Sequence, residues 1–224
     1  QRQMCIRDRI DTSLSLGVTR VELGVQTVFD DILDLVHRGH GQKEIIRSTQ
    51  LAKDAGLKVC YHMMPGLPGS NKEKDLESFR TIFNDENYRP DMLKIYPTLV
   101  VENSELYNWW KEGKYRPYHD EEFLDLLVEI KKIVPRWVRI QRVERDIPVP
   151  LIVDGIKRSD IRDMAYNKLK SMGMHCKCIR CREIGRKYEK NEILLEPEIL
   201  MNRMDYNASG GKEIFLSFDD VKND

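Results

Sequence analysis

From residue 18 onward, the apolar positions switch repeatedly between two periods. Val18 to Val25 is a compact β-rich stretch, and Asp30 to His37 then carries Ile32, Leu33, Leu35 and Val36 at the spacing of a short helix. Gly41 opens a second helix through Ile45, Ile46, Thr49, Ala52 and Ala55, stopped by Gly56. Leu57 to Met64 reads as a buried strand ahead of Pro65-Gly66-Leu67-Pro68-Gly69. Asn71 caps a helix carrying Leu76, Phe79, Ile82 and Phe83, and Met92 to Tyr96 follows as a third strand. Strands separated by helices of about ten to fifteen residues predict right-handed βαβ units and a parallel sheet. Functional residues of such a sheet sit at the carboxyl ends of its strands. The candidates there are Glu22 and Gln26 after the first strand, His62 and the Pro-Gly loop after the second, and Lys94 and Tyr96 at the third.

Ser104 and Gly113 bracket a short helix with Trp109 and Trp110, and Asp120 starts a longer one with Phe123, Leu124, Leu127, Ile130 and Val134. Both read as packing helices. The character then changes, because Arg136, Arg139, Arg142 and Arg145 recur every third residue, with Lys157, Arg158 and Arg162 following. Such a run is either a solvated face or a phosphate-contacting stripe, since arginine forks grip phosphate oxygens and release counterions from nucleic acid. Tyr166 and Trp137 lie close enough in sequence to stack on bases, with core packing as the alternative for Trp137. Ser159 caps a further helix through Ile161, Met164, Ala165, Leu169 and Met172, ended by Gly173. Ile193 to Met204 is apolar and broken by Pro197, and Glu213 to Phe218 is a final strand, begun after the Ser209-Gly210-Gly211 turn and without a partner.

The helix before Gly173 delivers the chain into Met174 to Glu183, which holds three of the five cysteines. Cys176, Cys178 and Cys181 can turn their sulfurs toward one point if the backbone curls tightly, as a loop after a helix allows. Thiolates at about 2.3 Å in tetrahedral geometry favour zinc, and a closed four-ligand site is structural. His175 is the nearest fourth ligand, although neighbouring residues seldom both reach one metal, so a ligand from a distant segment is an equal alternative. A cluster of reduced, unligated thiols is the other alternative. The 224 residues suffice for a sizeable core of one domain or one and a half. The balance of 37 basic and 37 acidic residues predicts no partner by net charge. An odd cysteine count without a disulfide framework, and the absence of an apolar run near the roughly 18 residues of a membrane helix, point to a reducing, cytoplasmic compartment and no membrane partner. Gln1 to Arg9 fit no element that follows and are read as non-native.

Six separate motifs now stand in one order: Val21 to Gln26, Met63 to Gly69, Lys94 to Pro97, Arg145 to Pro148, the cysteine knuckle with Arg182-Glu183, and Ala208 to Gly211. In this order they resemble the catalytic subunit of Elongator in its archaeal or bacterial form. The resemblance runs from about Ile10 to the end. It implies an α/β fold made of the C-terminal half of a radical S-adenosylmethionine partial (β/α) barrel over residues 10–135, a basic zinc-bearing linker over 136–205, and the first strand of a GNAT acetyltransferase domain over 206–224. It further implies that the tRNA wobble uridine is carboxymethylated from acetyl-CoA. In that chemistry a 4Fe-4S cluster reduces S-adenosylmethionine, and the resulting radical activates the acetyl group for addition to C5 of uridine 34. By similarity, Gln26 and Arg38, with Glu22, hold S-adenosylmethionine, while Lys94 and Tyr96 face the reaction centre. A backbone-bonded amide is the plain alternative for Gln26, and an ordinary structural role is the alternative for Lys94 and Tyr96.

The pattern is incomplete. Only Cys5 precedes Cys60, whereas the family's cluster takes three cysteines, and no acetyl-CoA phosphate loop follows the last strand. The chain is therefore expected to be a fragment, inactive alone, with tRNA contacts at Arg139, Arg142, Arg145, Lys157 and Arg158. Two further classes stay open: a zinc-stabilised tRNA-binding module without catalysis, and a scaffold for partner proteins. Self-association or binding of Elongator accessory subunits is compatible with each.

Overall fold

The computed structural model describes residues 6–144, 147–189 and 197–222. Helix α1 (Ile6–Ser15) precedes β1 (Arg20–Gln26), α2 (Asp30–Leu35), α3 (Gln42–Asp54), β2 (Lys58–Met63), α4 (Lys72–Asn84) and β3 (Met92–Ile95). A two-residue β4 (Val100–Val101), α5 (Glu105–Lys111), α6 (Asp120–Ile133) and β5 (Arg139–Val143) follow. Then come β6 (Ile152–Asp154), α7 (Ile161–Ser171), the short α8 (Ile179–Arg182) and α9 (Ile184–Glu189), and a hairpin of β7 (Ile199–Ala208) and β8 (Gly211–Asp220).

Four strands form a parallel sheet in the order β1-β2-β3-β5. Strand alternation divides the sheet into two faces. Val59, Tyr61, Met63, Leu93, Ile95 and Ile140 point into the core with Phe79, Ile82 and Phe83 of α4 and Phe123, Leu126, Leu127 and Ile130 of α6. The buried Tyr61 hydroxyl is satisfied by the Thr49 hydroxyl at 2.5 Å. The opposite face is polar and carries Glu22, His62 and Lys94. The helix starts follow the sequence, since Asn71 accepts from the Lys74 N–H and the Ser104 hydroxyl accepts from the Tyr107 N–H. At α7 the cap position belongs to Asp160, not Ser159.

Three expectations are corrected. The stretch assigned to a linker from residue 136 contains β5, which pairs with β3 as the fourth strand of the sheet. Its Ile140 and Val143 face the core, while Arg139, Gln141 and Arg142 occupy the other positions. The last strand is partnered, because β8 pairs antiparallel with β7 over ten residues. The expected boundary at residue 206 therefore falls inside β7. Ile193 to Glu196 lie outside the described residues, and β7 begins at Ile199.

The hairpin is fastened to the amino-end side of the sheet. Trp137 stacks on Tyr206 at 4.2 Å between ring centroids, which commits that indole to packing instead of base stacking. Lys53 bridges Asp91 and Glu213, and Arg89 donates to the Asn207 carbonyl. Buried Asp219 accepts from Arg136, Arg182, Asn202 and Ser217. The turn of Ser209 and Gly210 has φ of 52° and 80°, as a tight two-residue hairpin turn requires.

Candidate functional site

The carboxyl end of β1 carries the Gly-Val-Gln segment. Gln26 is only 8 % exposed and has a left-handed φ of 69°, a conformation that side-chain-bearing residues seldom adopt outside functional turns. Its Nε2 donates to the His62 carbonyl at 3.5 Å, and its own carbonyl accepts from the Met64 N–H at 2.8 Å. Arg38, after α2, reaches back so that Nη2 donates to the Gly24 carbonyl at 3.2 Å. A methyl group on Gly24 would lie 2.9 Å from Arg38 Nη2 and 3.0 Å from Gln26 Nε2. Glycine at 24 thus lets a guanidinium and an amide converge over bare backbone, a corner suited to a carboxylate.

On the polar face, strand register sets Glu22 beside Cys60 and His62 beside Lys94. One Glu22 oxygen meets His62 Nε2 at 2.6 Å and Lys94 Nζ at 2.5 Å. Burial opposes ionisation of Glu22, but Lys94 and His62 outweigh it and hold the carboxyl below its ordinary range. Tyr96 sets its ring edge-on to His62 at 5.4 Å. Burial pushes the Cys60 thiol up to about 12, so it is a neutral thiol. The structure thus brings Glu22, Lys94 and Tyr96 together around His62, the residue sequence reasoning named at a strand end without giving it a role. Period-two alternation along β2 was the signal for it.

Beside this corner lies a cavity of about 240 Å³, walled by Leu35, Met64, Leu67, Leu99, Leu106 and Trp109. Thr98 lines it, is 5 % exposed, and its hydroxyl has no hydrogen-bond partner among the described residues. Glu144 follows β5 with φ of 78° and lines a smaller cavity of about 70 Å³ with Pro97, Leu99, Ile147 and Ile156. Desolvation raises its carboxyl to about 7, with Arg162 opposing the rise and Asp160 and Asp120 adding to it. Neither Thr98 nor Glu144 has a signature readable from residue type and spacing.

The cysteine knuckle sits apart from both cavities. The Ile179 N–H donates to the Val138 carbonyl, pinning α8 at the amino end of β5. The Cys176, Cys178 and Cys181 sulfurs all lie within 4.8 Å of one another. Tetrahedral sites with bonds of about 2.3 Å set sulfurs about 3.8 Å apart, so the trio fits one metal ion. His175 is exposed and stands outside this group, which favours the alternative of a fourth ligand from another segment. Met174, His175 and Lys177 are exposed, while Cys176 and Cys178 are buried. Lys131, fully buried at the end of α6, places Nζ 3.5 Å from Cys181 Sγ and offsets thiolate charge.

The basic residues divide. Arg139 is held by both Glu183 oxygens at 2.9 and 3.0 Å, Arg158 by Asp160 at 2.9 Å, and Lys157 donates to the Val153 carbonyl. Arg142 is exposed on the edge strand, and Arg145 lies outside the described residues.

The Radical SAM superfamily model matches residues 3–82, and the Radical_SAM C-terminal domain model matches residues 90–171. Together the two models cover most of the chain, which carries radical SAM domains. It is 52 % identical over 221 residues to the tRNA uridine(34) acetyltransferase of Methanocaldococcus infernus, covering 98 % of this chain and 41 % of that protein. The Dehalococcoides mccartyi protein of the same name is 49 % identical, and Elongator complex protein 3 of Schizosaccharomyces pombe is 42 % identical, each over 98 % of this chain and 47 % and 40 % of theirs. A solved structure of archaeal Methanocaldococcus infernus Elp3 with an N-terminal deletion superposes with a TM-score of 0.92 at 51 % identity, covering 96 % of this chain and 51 % of that one. The chain thus spans less than half the length of these curated relatives. Among the described residues, no helix is long and apolar enough to cross a membrane.

Proposed function

We propose that the whole protein to which this radical SAM chain corresponds modifies uridine 34 of tRNA, forming 5-carboxymethyluridine from acetyl-CoA, and that this chain supplies the S-adenosylmethionine site. The observation that carries it is the Gly24 corner. Arg38 and Gln26 converge over bare backbone where a Cβ would meet both, and this pair of donors suits the amino-acid end of S-adenosylmethionine. The Arg38 guanidinium grips its carboxylate, and the Gln26 amide orients the same end. The adenosine end needs an apolar slot with a few polar groups, as the neighbouring cavity offers through Met64, Leu67, Leu99 and the Thr98 hydroxyl. When bound, the cofactor supplies a carbon radical. Lys94, its ammonium neutralised by Glu22, and Tyr96, steadied by His62, face the space where the acetyl group and the uracil ring meet.

The described residues do not fit a 4Fe-4S cluster at this end of the sheet. Their one group of three thiols is the knuckle, at the opposite end. We assign zinc there, with Cys176, Cys178 and Cys181 as ligands, fastening α8 against β5. Arg142, Lys157 and Arg158 meet tRNA phosphates, whereas Arg139 fixes α8 through Glu183. Acetyl-CoA presents its acetyl group to Lys94 and Tyr96, and accessory subunits are partners of the whole protein.

The test is turnover by the full-length protein with S-adenosylmethionine, acetyl-CoA and tRNA, read by mass spectrometry of the nucleosides. Carboxymethylation confined to U34 is expected. An unmodified U34 in protein shown to bind S-adenosylmethionine and tRNA overturns the activity.

A further inference from the structure

The loop after β2 is held by residues with no place in the chemistry described so far. Gly66 has φ of +80°, and a methyl group there would lie 3.0 Å from the Tyr118 ring. Its N–H donates to Asp75 Oδ2 at 2.7 Å, and its carbonyl accepts from the Tyr115 hydroxyl at 2.6 Å. The Tyr118 hydroxyl donates to the same Asp75 oxygen at 2.8 Å, and the Ser70 hydroxyl donates to Oδ1 at 2.6 Å. One residue, Gly66, is thus gripped at its N–H, at its carbonyl and across its face, which fixes the two peptide units that meet at its Cα.

Asp75 is 3 % exposed and has no ion-pair partner among the described residues. A carboxyl group buried without a cation costs several kcal/mol in principle, a cost that three donated hydrogen bonds reduce but do not abolish. Desolvation accordingly raises its pKa against the pull of Ser70, Tyr118 and the Gly66 N–H. What the arrangement fixes is the path of the chain between Met64 and Gly69, and that segment carries Met64 and Leu67, which wall the apolar cavity. Pro65, next to Gly66, accepts from the Thr98 N–H at 2.9 Å, so the same grip reaches the strand end that bears the orphan hydroxyl.

We propose that Asp75, Tyr115 and Tyr118 are positioning residues for the S-adenosylmethionine site, acting through the Gly66 peptide to shape the cavity wall. The proposal rests on the cofactor reading above and concerns groups that do not touch the cofactor. Asp75→Ala removes the grip on the N–H, and Tyr115→Phe removes the grip on the carbonyl. Asp75→Asn keeps it, because the amide oxygen accepts from Gly66 and Tyr118 while the amide nitrogen donates to the Ser70 hydroxyl.

The experiment is calorimetric titration of the full-length protein with S-adenosylmethionine, with tRNA affinity and thermal melting measured alongside. Asp75→Ala and Tyr115→Phe should each weaken cofactor binding about tenfold and leave tRNA affinity unchanged. Asp75→Asn should bind within about twofold of wild type. Since both groups hold the same residue, Gly66, the double variant should weaken binding by less than the product of the single effects. Cofactor affinity that stays at the wild-type value in Asp75→Ala while melting falls would make these residues structural only and overturn the proposal. Wild-type protein that binds no S-adenosylmethionine would overturn the underlying cofactor assignment, a failure distinguishable from the first.

Discussion

Glu144 is a carboxyl group whose environment can be read as a pH dependence. Its pKa rises from 4.5 to about 7, chiefly by burial in the cavity between β5 and the residues leading to α7. A shift of that size is worth about 3.4 kcal/mol at 1.36 kcal/mol per unit, and solvent screening of a half-buried group reduces it to roughly 2 kcal/mol. The sign follows from the raised value. Below pH about 4.5 both folded and unfolded chains hold the proton. Between about 4.5 and 7 the unfolded chain releases it first, so stability falls as pH rises, and above about 7 the loss is complete. Glu144→Gln keeps the shape and the left-handed backbone and removes only the titration. The variant should match wild type at pH 4.5 and melt about 4–8 °C higher at pH 8, since 1 kcal/mol moves a domain of this size by about 2–4 °C. Thermal melts monitored by circular dichroism at the two pH values decide it. A difference in melting temperature that does not change with pH would refute the reasoning.

Other outcomes follow from the same structure. Cys178→Ala should release bound zinc and lower the melting temperature, because metal binding in such a site is folding energy; unchanged metal content by plasma emission ends that assignment. Asp219→Ala strands Arg136 and Arg182 beside a buried position and should cost about 2–4 kcal/mol in denaturant unfolding, against less than about 0.5 kcal/mol if the hairpin is loosely attached. Gly24→Ala should push Arg38 or Gln26 aside and weaken S-adenosylmethionine binding while leaving the melting temperature within a few degrees; equal affinity would show that the corner is not used.

Between residues 18 and 133 the main elements were legible from their apolar period, whereas α1 (Ile6–Ser15), which takes in part of the stretch read as fitting no element, and the two-residue β4 were not foreseen. Asn71 and Ser104 cap as their residue types suggest, and Leu57 to Met64 proved to be a buried strand. Strand β5 was hidden because Arg139, Gln141 and Arg142 dominate its composition, and only Ile140 and Val143 betray a core face. The hairpin was half legible: the Ser209-Gly210 turn was clear, but β7 mixes Asn202, Arg203 and Asp205 with Met201 and Met204 and offers no clean alternation. Spacing found the thiol trio but not Lys131, which resembles the polar tail of α6 until tertiary packing buries it. Gln26 was legible as a strand-end residue, whereas its cofactor role and Arg38 came from resemblance; that the two converge over Gly24 was visible only in the fold.

The central claim is that this end of the sheet binds S-adenosylmethionine through Gln26 and Arg38. Titrating the full-length protein with the cofactor, for wild type and Arg38→Ala, tests it most directly. Saturable one-to-one binding, weakened at least about tenfold in Arg38→Ala by loss of the guanidinium–carboxylate contact, is the predicted result. Equal affinity in the two proteins would contradict it.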